Sequence, residues 1–309
     1  MEMTHSRRWQ TPVVLLLALL STPVTMAQRP GERPEIAIWD GPVPGPIVPA
    51  EPEESQVTGQ DGKTRRFNVS RPRVFVYEPA REVPRTGSCV IIVPGGGFGR
   101  LSDEHEGKDL GHWFADQGLV AFQLAYRTPT NKQPEPNAGP VMDTQMAVMK
   151  IREKAADYGI QPNRIAVLGF SAGGQTALVA ATTEVQFDGG EKRLNHRPDL
   201  LLLIYPYQVS NPEGTHLRGN IEINEKTPPT FIAQAADDPA SKVNGTLLLY
   251  SQLISKKVPA ELHIYERGGH GYGMRPVKGS PVAEDWPGRA ANWLKLREFL
   301  SPGSDSSEK

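Results

Sequence analysis

The feature that most constrains the fold is an alternation of short apolar runs with segments of helical spacing. The runs Cys89 to Val93 and Arg164 to Gly169 are nearly continuous in apolar residues, which is typical of strands buried on both faces of a sheet. Segments of helical spacing separate these runs, and the pattern continues from about Arg65 to Leu300. Parallel neighbours in a sheet need such helical crossovers. The sequence therefore predicts an α/β fold with a mostly parallel central sheet and helices on both faces.

The first residues carry the pattern of an export signal. Arg7 and Arg8 precede an apolar stretch from Val13 to Leu20, and small residues follow before Gln28. This predicts a signal peptide over residues 1–27 and a secreted or periplasmic protein. The apolar stretch is shorter than the roughly 20 residues that span a bilayer, and an uncleaved anchor is the alternative.

Composition divides the rest of the chain and limits its partners. We expect a Pro/Gly-rich extension over 28–64 that is irregular from about Pro30 to Glu54, the main α/β domain over 65–300 and a polar tail over 301–309. The 34 basic and 35 acidic residues give a formal net charge of -1, so charge favours neither nucleic acid nor an anionic membrane as partner. The oligomeric state is left open.

A nucleophile elbow is the strongest chemical motif. Gly169-Phe170-Ser171-Ala172-Gly173 follows a buried strand and precedes a helical segment, as a G-x-S-x-G elbow requires. The tight turn lifts the serine hydroxyl clear of the backbone, while the glycines allow neighbouring chain to pass closely. We predict Ser171 as the nucleophile, with an ordinary glycine-rich turn as the alternative.

A second glycine cluster follows the strand that ends at Val93. Pro94-Gly95-Gly96-Gly97-Phe98-Gly99 can turn backbone N–H groups into the cleft at the carboxyl ends of the strands. Together with the N–H of Ala172, such donors would form an oxyanion hole. The competing interpretation, a phosphate-binding loop, lacks the G-x-x-x-x-G-K-[ST] pattern.

A base and an acid complete the predicted triad. Among the seven histidines, His270 alone lies in a glycine-rich loop between the last strand and the final helix, where an imidazole can face both the nucleophile and an acid. The acid should follow the strand Thr230 to Ala235, which leaves Asp237 and Asp238. We choose Asp237 and keep Asp238 as the alternative.

The region from about Val69 to Leu300 resembles the α/β-hydrolase esterases of the acetyl-xylan-esterase-like type, including the branch named for a bifunctional acetyl and feruloyl esterase. The motifs that carry the resemblance are Val93-Pro94-Gly95-Gly96-Gly97-Phe98, His105-Glu106-Gly107, Ala125-Tyr126-Arg127, the elbow, Ala235-Ala236-Asp237-Asp238-Pro239 and Tyr265-Glu266-Arg267-Gly268-Gly269-His270-Gly271.

The resemblance implies specific roles for several residues. By position, Gly96 and Gly97 are the oxyanion donors, with Ala172 as the third, and the first aspartate of the pair is favoured as the acid. For Glu106 and Arg127, which lie in these motifs, our hypothesis is an ion pair that braces the glycine loop, and surface charges with no role are the alternative.

These features together predict a serine esterase that removes short acyl groups, acetyl first, from a carbohydrate such as xylan through an acyl-enzyme. Phe98, Tyr207 and Tyr272 flank the motifs and would suit stacking on a sugar ring. No metal or other cofactor is expected, because the sequence holds no Cys/His ligand cluster. A peptidase of the prolyl-oligopeptidase type and a non-catalytic binding protein on a hydrolase scaffold are the rival interpretations.

Overall fold

The computed structural model describes residues 33–185, 187 and 194–300. The strands in these ranges are β1 Glu35–Ala37, β2 Ser55–Thr58, β3 Thr64–Phe67, β4 Arg73–Tyr77, β5 Cys89–Val93, β6 Val120–Ala125, β7 Ile165–Phe170, β8 Leu200–Ile204, β9 Thr230–Ala235 and β10 Ala260–Tyr265. The α-helices are α1 Asp109–Asp116, α2 Ala138–Glu153, α3 Ser171–Thr182, α4 Val243–Ser255 and α5 Val282–Leu296. A π-helical turn, Glu104–Lys108, leads into α1, and a 3₁₀ turn, Ala155–Tyr158, follows α2.

Eight of these strands form one sheet in the order β1-β4-β6-β5-β7-β8-β9-β10. The pairs β1–β4 and β4–β6 are antiparallel, and every other neighbouring pair is parallel. All residues of β5, β7, β8 and β9 are buried, so both faces of the sheet are covered. The predicted fold class is confirmed.

The parallel strands bring the predicted motifs to one edge of the sheet. The glycine cluster follows β5, Ser171 follows β7, Tyr205 follows β8, and the aspartate pair closely follows β9. Because the carboxyl ends of parallel strands lie at the same edge, segments far apart in sequence meet there.

The N-terminal extension is more regular than expected. The prediction of irregular chain from Pro30 to Glu54 is wrong for Glu35–Ala37, which forms the edge strand β1 beside β4. Backbone pairing at an edge does not need an apolar run, so the pattern gave no signal. Further along, β2 and β3 form a separate antiparallel hairpin.

Other predictions fall on parts of the chain that are not described. The signal segment 1–27 and the tail 301–309 lie outside the described residues. Within the described ranges, no helix combines the length and the apolar character needed to cross a bilayer.

Candidate active site

The elbow is a sharp turn that only certain residues can form. Ser171 begins α3 with a φ of 48°, a left-handed conformation that non-glycine residues rarely adopt. A Cβ atom on Gly169 would lie 2.4 Å from the carbonyl oxygen of Gly173, and one on Gly173 would lie 2.1 Å from that of Val93. Both glycines of the motif are therefore required by the close approach of backbone, as the sequence pattern indicated.

The structure brings Ser171 and His270 together and supplies an acid. Ser171 Oγ lies 2.8 Å from His270 Nε2, and His270 Nδ1 lies 2.7 Å from Asp238 Oδ2. The Asp238 side chain is fully buried. Its Oδ1 accepts hydrogen bonds of 2.8 Å from the backbone N–H groups of Ala240 and Ser241. The carboxylate is thus held with one oxygen fixed by the turn and the other facing the imidazole.

The choice of Asp237 as the acid is wrong. Asp237 is exposed, and its Oδ1 accepts a 2.8 Å hydrogen bond from the backbone N–H of Gly269. The turn after β9 directs the first carboxylate to the outer side of the histidine loop and the second inward to the ring. The alternative kept from the sequence, Asp238, occupies the position of the acid.

The glycine cluster predicted to supply oxyanion donors lies beside Ser171. Gly96 and Gly97 line the same pocket as Ser171, with φ values of 135° and 63°. Among the described residues, neither of their N–H groups has an acceptor. Ala172 is the second residue of α3, so its N–H has no acceptor one turn earlier within the helix. A Cβ on Gly96 would lie 2.0 Å from the Arg100 carbonyl oxygen, which excludes any side chain there.

Glu106 does not pair with Arg127, and that prediction is wrong. The buried Glu106 carboxylate accepts hydrogen bonds of 2.8 Å from the N–H of Gly95 and the O–H of Tyr205. Tyr205 in turn accepts the N–H of Gly273 at 2.9 Å. Burial raises the pKa of Glu106, although the Tyr205 and Gly95 hydrogen bonds oppose the shift. Glu106 therefore braces the glycine loop through hydrogen bonds rather than through an ion pair.

Arg127 instead forms a buried ion pair with Asp143. Arg127 Nη2 lies 2.6 Å from Asp143 Oδ1, and both side chains are almost fully buried. Another guanidinium nitrogen of Arg127, Nη1, donates to the carbonyl oxygens of Pro44 and Pro46. The pair joins the end of β6 to α2 and fastens the N-terminal extension to the domain.

Comparisons with known proteins agree with this geometry. A family model described as BD-FAE matches residues 75–200. The crystal structure of an acetyl ester-xyloside bifunctional hydrolase from Caldicellulosiruptor lactoaceticus superposes with a TM-score of 0.67 at 28% identity, covering 86% of this chain and 97% of that one. The chain has the α/β-hydrolase fold and is similar to esterases with that fold. The resemblance inferred from the motifs is confirmed.

The curated relatives that match this chain are longer proteins. Endo-1,4-beta-xylanase B of Butyrivibrio fibrisolvens is 29% identical over 65% of this chain and 34% of its own length. An acetylxylan esterase of Xylanibacter ruminicola is 29% identical over 61% of this chain and 42% of its own length. The chain thus spans well under half of these relatives.

The pocket in front of Ser171 has a volume of about 400 Å³. Of the three aromatic residues expected at the cleft, Tyr207 lines this pocket, whereas Phe98 and Tyr272 are buried at 5% and 3% exposure. His105 also lines the pocket, and burial, as the largest cause, lowers its pKa to about 3, so it is neutral. The described residues contain no cluster of His, Cys, Asp and Glu arranged to hold a metal ion.

No sequence motif pointed to Tyr205 as a residue of the site. This residue directly follows β8 and has a φ of 40°. Its ring packs edge-on against the His270 imidazole with centroids 5.0 Å apart. The sequence does place Tyr205 at the carboxyl end of a buried strand that follows the elbow strand, and this position could have indicated a residue of the site.

Proposed function

We propose that the protein hydrolyses short-chain carboxylic esters through an acyl-enzyme on Ser171. The observation that carries the proposal is the continuous hydrogen-bonded series from Ser171 Oγ through His270 to Asp238, with distances of 2.8 and 2.7 Å. A nucleophile, a base and an orienting acid in this order are the groups that acyl transfer needs.

The proposed reaction has two steps. His270 Nε2 takes the proton of Ser171 as Oγ attacks the ester carbonyl carbon, and the N–H groups of Gly96, Gly97 and Ala172 stabilise the oxyanion. The intermediate collapses, and the leaving alkoxide receives the proton from Nε2. A water molecule then gives a proton to Nε2 as it attacks the acyl carbon. The second intermediate collapses as Nε2 returns this proton to Ser171 Oγ, which releases the acid and restores the serine.

We propose acetylated carbohydrate, xylan first, as the substrate. The printed names of the relatives include an acetylxylan esterase and an acetyl ester-xyloside hydrolase. The pocket of about 400 Å³ is at the small end of the range for ligand sites, which suits a short acyl group better than a fatty chain. Tyr207 lines both this pocket and a second pocket that shares Gly97 with it. Its ring can therefore stack on a sugar ring that lies between the two pockets.

A panel of acetyl, butyryl, octanoyl and feruloyl esters tests the substrate. We expect kcat/KM to fall from acetyl to octanoyl and acetate to be released from acetylated xylan. Covalent labelling of Ser171 by a fluorophosphonate tests the mechanism separately. Higher activity on octanoyl than on acetyl esters, with no acetate released from xylan, would refute acetylated carbohydrate as the substrate. Absence of labelling would refute Ser171 as the nucleophile.

The proposal extends to location and organisation. We propose that residues 65–300 form the catalytic domain and that residues 1–27 direct export, which suits an enzyme whose polymeric substrate lies outside the cell. Mass spectrometry of the N-terminus after expression in an exporting host would detect cleavage before Gln28.

A further inference from the structure

The pocket in front of Ser171 is positively charged although the whole chain is almost neutral. Its lining includes Lys63 and Arg65 from the β2–β3 hairpin and Arg100 from the turn after the glycine cluster. The formal net charge of the chain is -1, so these cations are a local concentration. Segments far apart in sequence supply them, and composition gave no sign of it.

Within the described ranges, two of the three cations have no carboxylate partner. Lys63 Nζ donates to the carbonyl oxygen of Gly271 at 3.2 Å, directly beside His270. In the part of the chain that the structure describes, the exposed Arg100 side chain forms neither a hydrogen bond nor an ion pair. Arg65, by contrast, is held by Asp61 through hydrogen bonds of 3.0 and 2.5 Å. Lys63 and Arg100 are therefore available to a ligand.

The carboxyl group in the pocket lining does not pair with the cations. It belongs to Glu106, and its two oxygens already accept the Gly95 N–H and the Tyr205 O–H. The positive charge also acts on the neighbouring His105. After burial, the charges of Lys63, Arg275 and Arg65 are the next causes that lower the pKa of this imidazole.

We propose that the pocket selects esters that carry a carboxylate, and that Lys63 and Arg100 bind that carboxylate. The inference rests on the ester-hydrolase function proposed above and narrows its substrate class. Lys63 and Arg65 lie on a hairpin before residue 75, outside the segment that the family model matches. An arginine fork and an ammonium group are the side chains that bind carboxylate through charge-assisted hydrogen bonds.

Two kinds of ester could supply the carboxylate. An acetylated oligosaccharide with a uronic acid side group carries it on the alcohol part, whereas the half-ester of a dicarboxylic acid carries it on the acyl part. The binding chemistry is the same, and matched substrates separate the two sources.

The experiment compares pairs of esters that differ in one charge. For the alcohol part, the pairs are 3-acetoxybenzoate with 3-acetoxybenzamide, and acetylated uronic-acid xylo-oligosaccharide with its carboxyl-reduced form. For the acyl part, the pair is nitrophenyl hemisuccinate with nitrophenyl butyrate. The readout is the ratio of kcat/KM for the charged and the neutral member of each pair, measured at low and at high salt.

For the wild type at low salt, we expect kcat/KM to be about tenfold or more higher for the charged ester than for its neutral partner, either in the alcohol-part pairs or in the acyl-part pair. This ratio should fall several-fold at 0.5 M salt, where charges are screened beyond a few ångströms. Lys63→Gln combined with Arg100→Gln should bring the ratio below about twofold, while Arg100→Lys should retain most of it. Arg81→Gln, at an exposed arginine that does not line this pocket, is the matched control and should leave the ratio unchanged.

A wild-type ratio near one for both sources would overturn the proposal, and so would a ratio that survives in the double variant. An equal loss in Arg81→Gln would assign the preference to the overall field of the protein and would also overturn it. In each of these cases hydrolysis of the neutral esters by the wild type still supports the ester-hydrolase function. Failure of the wild type on every ester would instead reject that function.

Discussion

The adjacent aspartates after β9 offer a test in which one substitution should be severe and its neighbour mild. In Asp238→Asn, the side-chain oxygen must take the Oδ1 position, because that site accepts two backbone N–H groups at 2.8 Å. The amide nitrogen then faces His270 Nδ1, where Oδ2 now lies at 2.7 Å. An N–H donor at that place selects the tautomer protonated at Nε2, which cannot take the serine proton.

The expected loss in kcat is about 10³ to 10⁴, equivalent to roughly 4 to 5.5 kcal/mol of transition-state stabilisation. Asp237→Asn is the matched control, because the amide oxygen can still accept the Gly269 N–H at the surface. We expect kcat to stay within about fivefold of wild type there, since one exposed hydrogen bond contributes about 1 kcal/mol. Steady-state hydrolysis of nitrophenyl acetate by both variants, with thermal melts to verify folding, makes the comparison. A hundredfold loss in Asp237→Asn with Asp238→Asn within tenfold of wild type would refute the reasoning.

Three further substitutions test other parts of the structure. Ser171→Ala should lower kcat by about 10⁵ or more and leave the thermal midpoint nearly unchanged, and activity within tenfold of wild type would contradict its role. Arg127→Met strands the buried Asp143 charge and should lower the free energy of unfolding by about 3 to 5 kcal/mol in urea melts; a loss under about 1 kcal/mol would show that the pair is dispensable. Burial raises the folded-state pKa of Glu106 above its unfolded value, so wild-type stability should fall as pH rises from the unfolded towards the folded pKa. Glu106→Gln lacks this fall, so its stability relative to wild type should increase as the pH rises above about 4, the ordinary pKa of a glutamate side chain, whereas a constant difference would contradict the shift.

The sheet and the elbow could be predicted because their signals are local. Each buried strand is a short apolar run, and β9 and β5 have the bounds that the runs indicated. The glycines at 169 and 173 are required by backbone contacts within the same turn or with the adjacent strand. Residue type and spacing therefore carry that part of the structure directly.

The acid and the pocket charge depend on geometry that spacing does not encode. Asp237 and Asp238 have the same chemistry, and only the path of the turn decides which carboxylate meets His270. Likewise, Lys63 and Arg100 are ordinary polar positions in sequence, and both line the pocket because the β2–β3 hairpin and the turn after β5 both reach it. Neither outcome could be derived without the three-dimensional path of loops.

The role of Glu106 also depends on the path of the loops, which sequence spacing does not encode. Its place in the fold explains why the chain retains a buried acid although burial is unfavourable for a charged carboxylate. Its carboxylate joins the Gly95 turn to Tyr205, and Tyr205 joins the loop after His270 through the Gly273 N–H. An apolar side chain would avoid the burial that raises the pKa, but it would leave a backbone N–H and a hydroxyl unpaired in the core, at about 1 to 3 kcal/mol each. In the proposed mechanism the oxyanion donors and the base must hold fixed positions before the substrate arrives, because preorganised groups stabilise the transition state most. A single acceptor shared between the two loops meets that need, and so the acid is better understood as a positioning group than as a partner for a distant cation.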